Sequence, residues 1–154
     1  MTRTPRTRRG AGALALTFGL ALAGAALPPS GPAAAGPAAD IAQRRIAAIA
    51  AGEVGTLTAG YAEGATLEWV GGPLDGSYRG PAAMGPVWTR FAQAQGPLRA
   101  RVGEVVESAN PRGQTVAADV VFSGRAAVKV RYVLVLRDGR VVNEVWQVDS
   151  GLPG

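Results

Sequence analysis

The chain has 154 residues and a formal net charge of +5, from 16 Lys and Arg against 11 Asp and Glu. Four of the arginines lie within the first ten residues, whereas every acidic residue lies at or after Asp40, so the balance from Asp40 onward is 12 against 11, a net charge of +1. A nucleic-acid-binding surface normally carries clustered basic residues with aromatic residues among them. The domain sequence contains no such cluster, which argues against nucleic acid as a partner.

The sequence contains neither cysteine nor histidine. The absence of cysteine excludes disulfides, thiolate metal sites and a lipid-modified cysteine. The absence of histidine excludes an imidazole base, a Ser-His-Asp triad and histidine-ligated metals. An acid–base catalyst would therefore be Asp, Glu, Tyr or the single lysine, Lys129. We expect no metal site and no cofactor.

Residues 1–39 have the composition of a secretion signal followed by a low-complexity linker. Residues 1–10 are basic, residues 11–27 are apolar, and small residues follow with possible cleavage sites after Ala35 or Ala39. This pattern predicts a bacterial protein exported to the periplasm or beyond, with no membrane contact after cleavage. An uncleaved anchor is the alternative, although the apolar stretch is at the short end of a membrane span. An arginine pair in the basic segment leaves the general secretory and twin-arginine routes both open.

Residues 40–150 are predicted to form one domain, which must be stabilised by apolar burial because it lacks cysteine. Asp40 is placed to cap a first helix. Apolar residues recur in that helix at intervals of three and four, and Arg44 and Arg45 are expected on its exposed side.

The remaining elements follow in a simple order. A second short helix is predicted over residues 54–61, an alternating strand over residues 65–70 and a short strand over residues 77–79. A third helix should start at Pro81, since proline suits the first helical position, and end before Gly96.

Everything after Gly96 is predicted to be strand. Alternating segments cover residues 98–108 and 114–122, a Val-rich segment covers residues 126–137, and Asp138-Gly139 forms a tight turn into residues 140–149. Helices on one face of a mostly antiparallel sheet define an α+β fold. Long curved strands folded over helices would enclose a cone-shaped cavity.

The element order and certain local strings resemble the SnoaL-like group of the nuclear transport factor 2-like superfamily, over residues 41–149. The strings are residues 61–69, residues 76–81, the Asp138-Gly139 turn and residues 146–149. The resemblance implies a pocket for a small hydrophobic molecule and a homodimer formed through the outer sheet surface. Members include isomerases, cyclases, dehydratases, hydrolases and non-catalytic binding domains, so the fold does not select a function. The lack of histidine argues against dehydratase chemistry that relies on histidine.

The last hairpin can be placed in register from its turn. A two-residue turn pairs Arg137 with Arg140, and Tyr132 then lies opposite Val145. On the face of Tyr132, the second strand contributes polar residues to an otherwise apolar wall, as a ligand cavity requires: Asn143, Gln147 and Asp149. A bulge or a three-residue turn would exchange the two faces of that strand.

The opposite face of the predicted hairpin pairs Arg131 with Trp146, where a cation can lie on an indole. Valines accompany this pair, which suits a dimer interface. Asp119, on a neighbouring strand, is expected on the exposed face because lone charges are rarely buried.

Aromatic residues are the candidates for the ligand wall, although residues at this spacing also form ordinary cores: Tyr61, Trp69, Tyr78, Trp88 and Phe91. Asp149 is the candidate base, with Tyr132 or Tyr61 as the hydrogen-bond donor, a combination that supports isomerisation without histidine. Asp149 could equally be the solvated end of a strand.

Three functions follow from these observations. The first is an exported module that binds a small hydrophobic molecule without catalysis. The second is a histidine-independent isomerase or cyclase that uses an Asp base and a Tyr donor. The third is a homodimeric interaction domain that uses the Arg131 and Trp146 face.

Overall fold

The computed structural model describes residues 36–153 as three helices and six strands, and the predicted α+β architecture is confirmed. The elements are α1 (Pro37–Ala51), α2 (Val54–Ala59), β1 (Tyr61–Val70), β2 (Gly76–Arg79), α3 (Pro81–Gln95), β3 (Arg99–Asn110), β4 (Gly113–Ser123), β5 (Ala127–Arg137) and β6 (Arg140–Val148). Residues 1–35, which contain the predicted signal, lie outside the described residues.

The described helices include none that is long and apolar enough to cross a membrane.

The six strands form one sheet in the order β2-β1-β6-β5-β4-β3. All neighbours are antiparallel except β1 and β6, which run parallel. Register shifts interrupt the β1–β6, β3–β4 and β5–β6 pairings. Because a bulge bends its strand and increases the local twist, these shifts help the sheet to curve over the helices.

The core lies between the concave face of the sheet and the helices. On β4 and β5, buried and more exposed residues alternate, and the buried set on β5 runs from Val130 through Tyr132 and Leu134 to Leu136. The sheet face meets the apolar stripe of α3, which comprises Met84, Val87, Trp88 and Phe91. The predicted bounds and stripe of α3 are confirmed.

Helix α1 begins three residues before the predicted start of the domain. Gly36 is its N-cap and Pro37 its first residue, so the prediction that Asp40 caps the helix is wrong. A partner for the free N–H groups of the first turn comes instead from β3, where the carboxylate of Glu107 accepts a hydrogen bond of 2.8 Å from the backbone N–H of Ala39. Both Ala38 and Ala39 are buried, so this first turn is part of the core.

Tyr61 belongs to a strand and not, as predicted, to the second helix. Helix α2 ends at Ala59, and Tyr61 begins β1 opposite Val141 of β6. Two bonds from β6 hold this junction: Val141 N–H donates to the carbonyl of Gly60 and Arg140 donates to the carbonyl of Tyr61. Pairing with a strand 80 residues away in the chain therefore overrides the helical spacing.

Candidate functional site

The β5–β6 hairpin has the predicted turn but a different register beyond it. Arg137 pairs with Arg140, as predicted, and Leu136 then pairs with Val141 while Val135 pairs with Asn143. Val142 is thus the extra residue of a bulge. Tyr132 consequently lies opposite Trp146, not opposite Val145, and the two faces of β6 are exchanged.

The predicted inward face is correct for β5 and wrong for β6. Asn143 donates a 2.7 Å hydrogen bond to Thr66 Oγ1 on β1, Gln147 is exposed, and Asp149 is half-buried with its carboxylate accepting from the N–H of Gly151. These three polar residues do not converge on the cavity. The residues of β6 that face inward are Val141, Glu144 and Trp146.

The predicted Arg131–Trp146 pair does not form, because the bulge turns Trp146 inward. Trp146 is fully buried, and Arg131 instead forms an ion pair of 2.9 Å with Asp119 on the outer face of the sheet. Asp119 lies on the outer face of the sheet, as expected, with 39% of its side chain exposed.

Glu144 is the centre of a buried polar network. Its carboxylate, which has no solvent exposure, accepts 2.7 Å from Arg45 Nη2 and 2.6 Å from the hydroxyl of Tyr132. The hydroxyl of Tyr61 donates to the same carboxylate, and it accepts a 2.9 Å hydrogen bond from Trp88 Nε1. The network thereby joins α1, β1, α3, β5 and β6.

Each of the three guanidinium nitrogens of Arg45 donates a hydrogen bond, and one face of the group contacts an aromatic ring. Beyond Glu144, its Nη1 donates to the carbonyl of Leu57 at 3.0 Å and its Nε donates to the Tyr132 hydroxyl at 3.3 Å. The guanidinium carbon lies 4.5 Å from the centre of the Tyr61 ring, in cation–π contact. A glycine at position 60 leaves the necessary room, since a Cβ there would lie 2.8 Å from Nη1.

Burial and neighbouring charges shift the pKa values of Arg45 and of the two tyrosines. Burial, followed by the negative charge of Glu144, raises the pKa of both Tyr61 and Tyr132 above the usual value, so both hydroxyls stay protonated and donate. Burial acts to lower the pKa of Arg45, but the charge of Glu144 and contacts with the tyrosines outweigh it, and the pKa rises. Arg45 therefore stays charged beside two neutral phenols.

An aromatic cluster surrounds Trp146 and adjoins this network. The Trp146 ring stacks 4.7 Å from Trp69 and 5.1 Å from Phe122, and edge-to-face contacts join it to Trp88 and Phe91 at 5.3 and 5.2 Å. Its Nε1 has no hydrogen-bond partner among the described residues. Such offset and edge contacts add to the stability gained from burial.

A pocket of about 440 Å³ opens on the other side of the cluster. Trp69 and Phe91 belong to both the cluster and the pocket wall. The remaining wall comes from four segments: the β1–β2 turn (Gly71–Leu74), the end of α3 (Arg90, Ala94 and Gln95), the start of β5 (Ala127–Lys129), and the end of the sheet (Val148 and Ser150).

The predicted aromatic residues divide between three environments. Trp69 and Phe91 line the pocket. The buried hydroxyls of Tyr61 and Tyr132, with the Trp88 indole, bind within the Glu144 network. Tyr78 packs against the edge of the core, and its hydroxyl donates 2.8 Å to the carbonyl of Leu74.

Sequence reasoning missed Arg45 and Glu144. Arg45 was expected outside, yet it lies three residues after Ala42 and four before Ile49, within the buried stripe of α1. Glu144 is the only acidic residue of β6. Arg45 and Glu144 carry opposite charges, and each is the single charged residue on an otherwise apolar face of its element. That combination was the available signal for an internal ion pair.

Among residues 36–153, no group of three or more acidic side chains is placed to hold a metal ion.

The model of the SnoaL-like domain family matches residues 42–144, and the chain belongs to this family. No functionally curated protein matches the sequence.

Solved structures share the nuclear transport factor 2-like fold. An NTF-2 like protein from Pseudomonas aeruginosa superposes with a TM-score of 0.62 at 16% identity, over 75% of this chain and 100% of that one. A putative polyketide cyclase from Sinorhizobium meliloti gives 0.53 at 22% identity, over 70% and 94%. An LEH-like epoxide hydrolase from M. tuberculosis gives 0.55 at 16% identity, over 73% and 83%. At these identities the likeness establishes the fold alone.

Replacing Glu144 with Gln should lower the free energy of unfolding by about 3–5 kcal/mol, because it leaves the buried Arg45 charge without its counter-ion. The double variant Arg45→Met with Glu144→Leu should lose less than Glu144→Gln, since it removes both buried charges and leaves only neutral hydroxyls without their acceptor. Urea denaturation of the wild type and of the two variants measures these differences.

The exposed pair supplies the matched control. Asp119→Asn removes the partner of Arg131 in the same way, but solvent screens that charge, so stability should change little. Equal losses for Glu144→Gln and Asp119→Asn would contradict a central role for the buried pair.

Proposed function

We propose that the protein binds a small apolar molecule in the pocket at the open end of the sheet. The observation that carries this proposal is the pocket itself, whose volume of about 440 Å³ falls within the range of small-molecule sites. Its walls are largely apolar: Trp69, Leu74, Phe91, Val128 and Val148.

The solvent exposure of this end of the sheet supports the same proposal. Val148 lines the pocket and keeps 36% of its surface exposed, while Val70, at the end of the neighbouring β1, is 45% exposed. Covering such apolar surface stabilises a complex by roughly 25 cal/mol per Å². A ligand seated in the pocket would cover Val148 and the edge of Trp69.

Binding without catalysis fits the placement of the carboxylates. A general base must lie within hydrogen-bond reach of the proton that it removes. The described residues that line the pocket include no Asp or Glu. The Glu144 carboxylate is engaged by Arg45 and two tyrosines, and Trp146 packs between Tyr132 and the pocket residue Trp69.

A histidine-independent isomerase or cyclase is the second candidate. The observation in its favour is the buried carboxylate that accepts from both Tyr61 and Tyr132, a set of groups suited to proton transfer and oxyanion stabilisation. In this alternative Glu144 takes the role predicted for Asp149. A substrate would reach it only if Trp146 moved aside, so binding is the better-supported function.

Filling the pocket should weaken the binding of a neutral apolar dye. Ala94 is exposed on α3 and lines the pocket, so Ala94→Trp should occupy the space and weaken Nile red binding at least tenfold, measured by dye fluorescence. Ala47→Trp is the matched control, because Ala47 is an exposed alanine on α1 away from the pocket. Equal affinities for both variants would contradict the assignment of the site.

We propose further that the protein is exported and cleaved after Ala35. Support comes from the basic and apolar segments of residues 1–27 and from the start of α1, since a product beginning at Gly36 keeps the N-cap and the buried alanines 38 and 39. N-terminal sequencing of the secreted product should therefore begin at Gly36. A product that starts before Leu27 would rule out cleavage.

We also propose that two copies pair through the outer face of the sheet. Half-buried Val133 there lies between Ala117 and Val145, and Val106, next to Ala117, is 50% exposed. Val106→Glu should shift the protein towards monomer in light scattering, whereas Ala47→Glu on α1 should not. A wild-type protein that is monomeric at high micromolar concentration would refute the dimer.

A further inference from the structure

The segment that follows β6, residues 149–153, connects the pocket to the outer face of the sheet. Val148 and Ser150 line the pocket, whereas Leu152 and Pro153 line a separate, small cavity. We propose that Leu152 is a positioning residue for the pocket: docked on the outer face, it holds the segment so that Ser150 completes the pocket wall. The proposal rests on the binding function above and adds a site outside the pocket that controls it.

Leu152 is buried on the side of the sheet opposite the core. Only 7% of its surface is exposed, yet it does not belong to the hydrophobic core cluster. Asp119 and Val121, which line its cavity, alternate along β4 with the buried Val120 and Phe122, so the cavity lies on the outer face. The remaining lining comes from β3, where Arg101 and Gly103 contribute. Burial of the Leu152 side chain gives the segment an apolar anchor there.

Hydrogen bonds lead the segment across β5 to this anchor. The N–H of Asp149 donates to the carbonyl of Lys129 at 2.9 Å, and the carboxylate of Asp149 accepts from the N–H of Gly151 at 2.9 Å, which turns the chain. Lys129 occupies an outward position of β5, opposite Val121, and its ammonium donates a 2.6 Å hydrogen bond to the carbonyl of Leu152. Leu152 is therefore held by its side chain and by its backbone.

Ser150 is the part of the pocket wall that depends on this anchor. Val148 is paired with Val130 within the sheet, so β6 itself fixes its position. The β1–β2 turn packs against the same strand end, since a Cβ at Gly71 would lie 3.5 Å from the Cβ of Val148. Ser150 lies beyond β6, between the turn at Asp149 and the anchor. Release of Leu152 would let Ser150 move away and open the wall at this point.

The docked segment has few contacts to hold it. A cavity of about 70 Å³ remains beside Leu152, and side chains that line a void lose the dispersion contacts they would otherwise make. Segments with few buried contacts open at a low free energy. A ligand that contacts Ser150 binds the docked state more tightly and shifts the segment towards it. By linkage, docking of the segment strengthens ligand binding by the same factor.

Variants of Leu152 test the role through ligand affinity. In the full chain, Leu152→Ala should weaken Nile red binding about fivefold, at the lower end of couplings between two sites. Leu152→Met conserves volume and apolarity, so it should retain the affinity of the wild type. The matched control is Val135→Ala, which shortens a half-buried side chain on the outer face of β5 outside both linings and should leave the affinity unchanged.

Amide hydrogen exchange of the wild type tests the same coupling from the other direction. Saturating Nile red should slow exchange at the amides of Gly151 and Leu152 by about the factor that Leu152→Ala loses in affinity, because coupling is reciprocal. The amide of Arg112, in the turn between β3 and β4, is the control; it lies outside both linings, and its exchange should not change.

The outcomes separate the positioning role from the binding function. If Leu152→Ala binds the dye like the wild type, or if the dye leaves exchange of the segment unchanged, the positioning role is refuted while the pocket stands. If far-UV circular dichroism shows that Leu152→Ala does not fold, the exchange measurement on the wild type decides. If the wild type does not bind Nile red, the proposed binding function fails and the positioning role fails with it.

Discussion

Glu144 is a carboxylate without solvent contact, and the interior of the domain is organised around satisfying it. An ion buried without partners would cost far more than a small domain can offset. Here Arg45 supplies the counter-charge, and Tyr61 and Tyr132 supply two neutral donors. Because those groups come from α1, β1 and β5, the carboxylate fixes how the first helix lies against the sheet.

The same network decides where a ligand can be accommodated. The polar groups deep in the cone already bind one another, and the aromatic cluster around Trp146 fills the space next to them. The free volume is left at the mouth, where Trp69 and Phe91 present their other sides to the pocket. Two layers with different chemistry result: a closed polar centre and an open, largely apolar pocket.

The bulge at Val142 shows how a one-residue change in pairing redistributes chemistry. Without it, Asn143 and Gln147 would face the interior and Glu144 the solvent; with it, Glu144 and Trp146 enter the core. Side chains alternate along a strand with a period of two, so the shift reverses every later position. The ion pair with Arg45 and the stacking of Trp146 both depend on the shifted register, and they favour it in return.

The order of helices and strands, the bounds of α3, the Asp138-Gly139 turn and the inward face of β5 could all be predicted from the sequence, because periodicity and turn residues act over a few neighbouring positions. The family resemblance was visible for the same reason. The place of Tyr61 in β1, the parallel β1–β6 pairing and the burial of Arg45 and Glu144 were decided by the tertiary structure. These features depend on segments 80 to 100 residues apart in the chain, and only their pairing determines which face of each strand is inside.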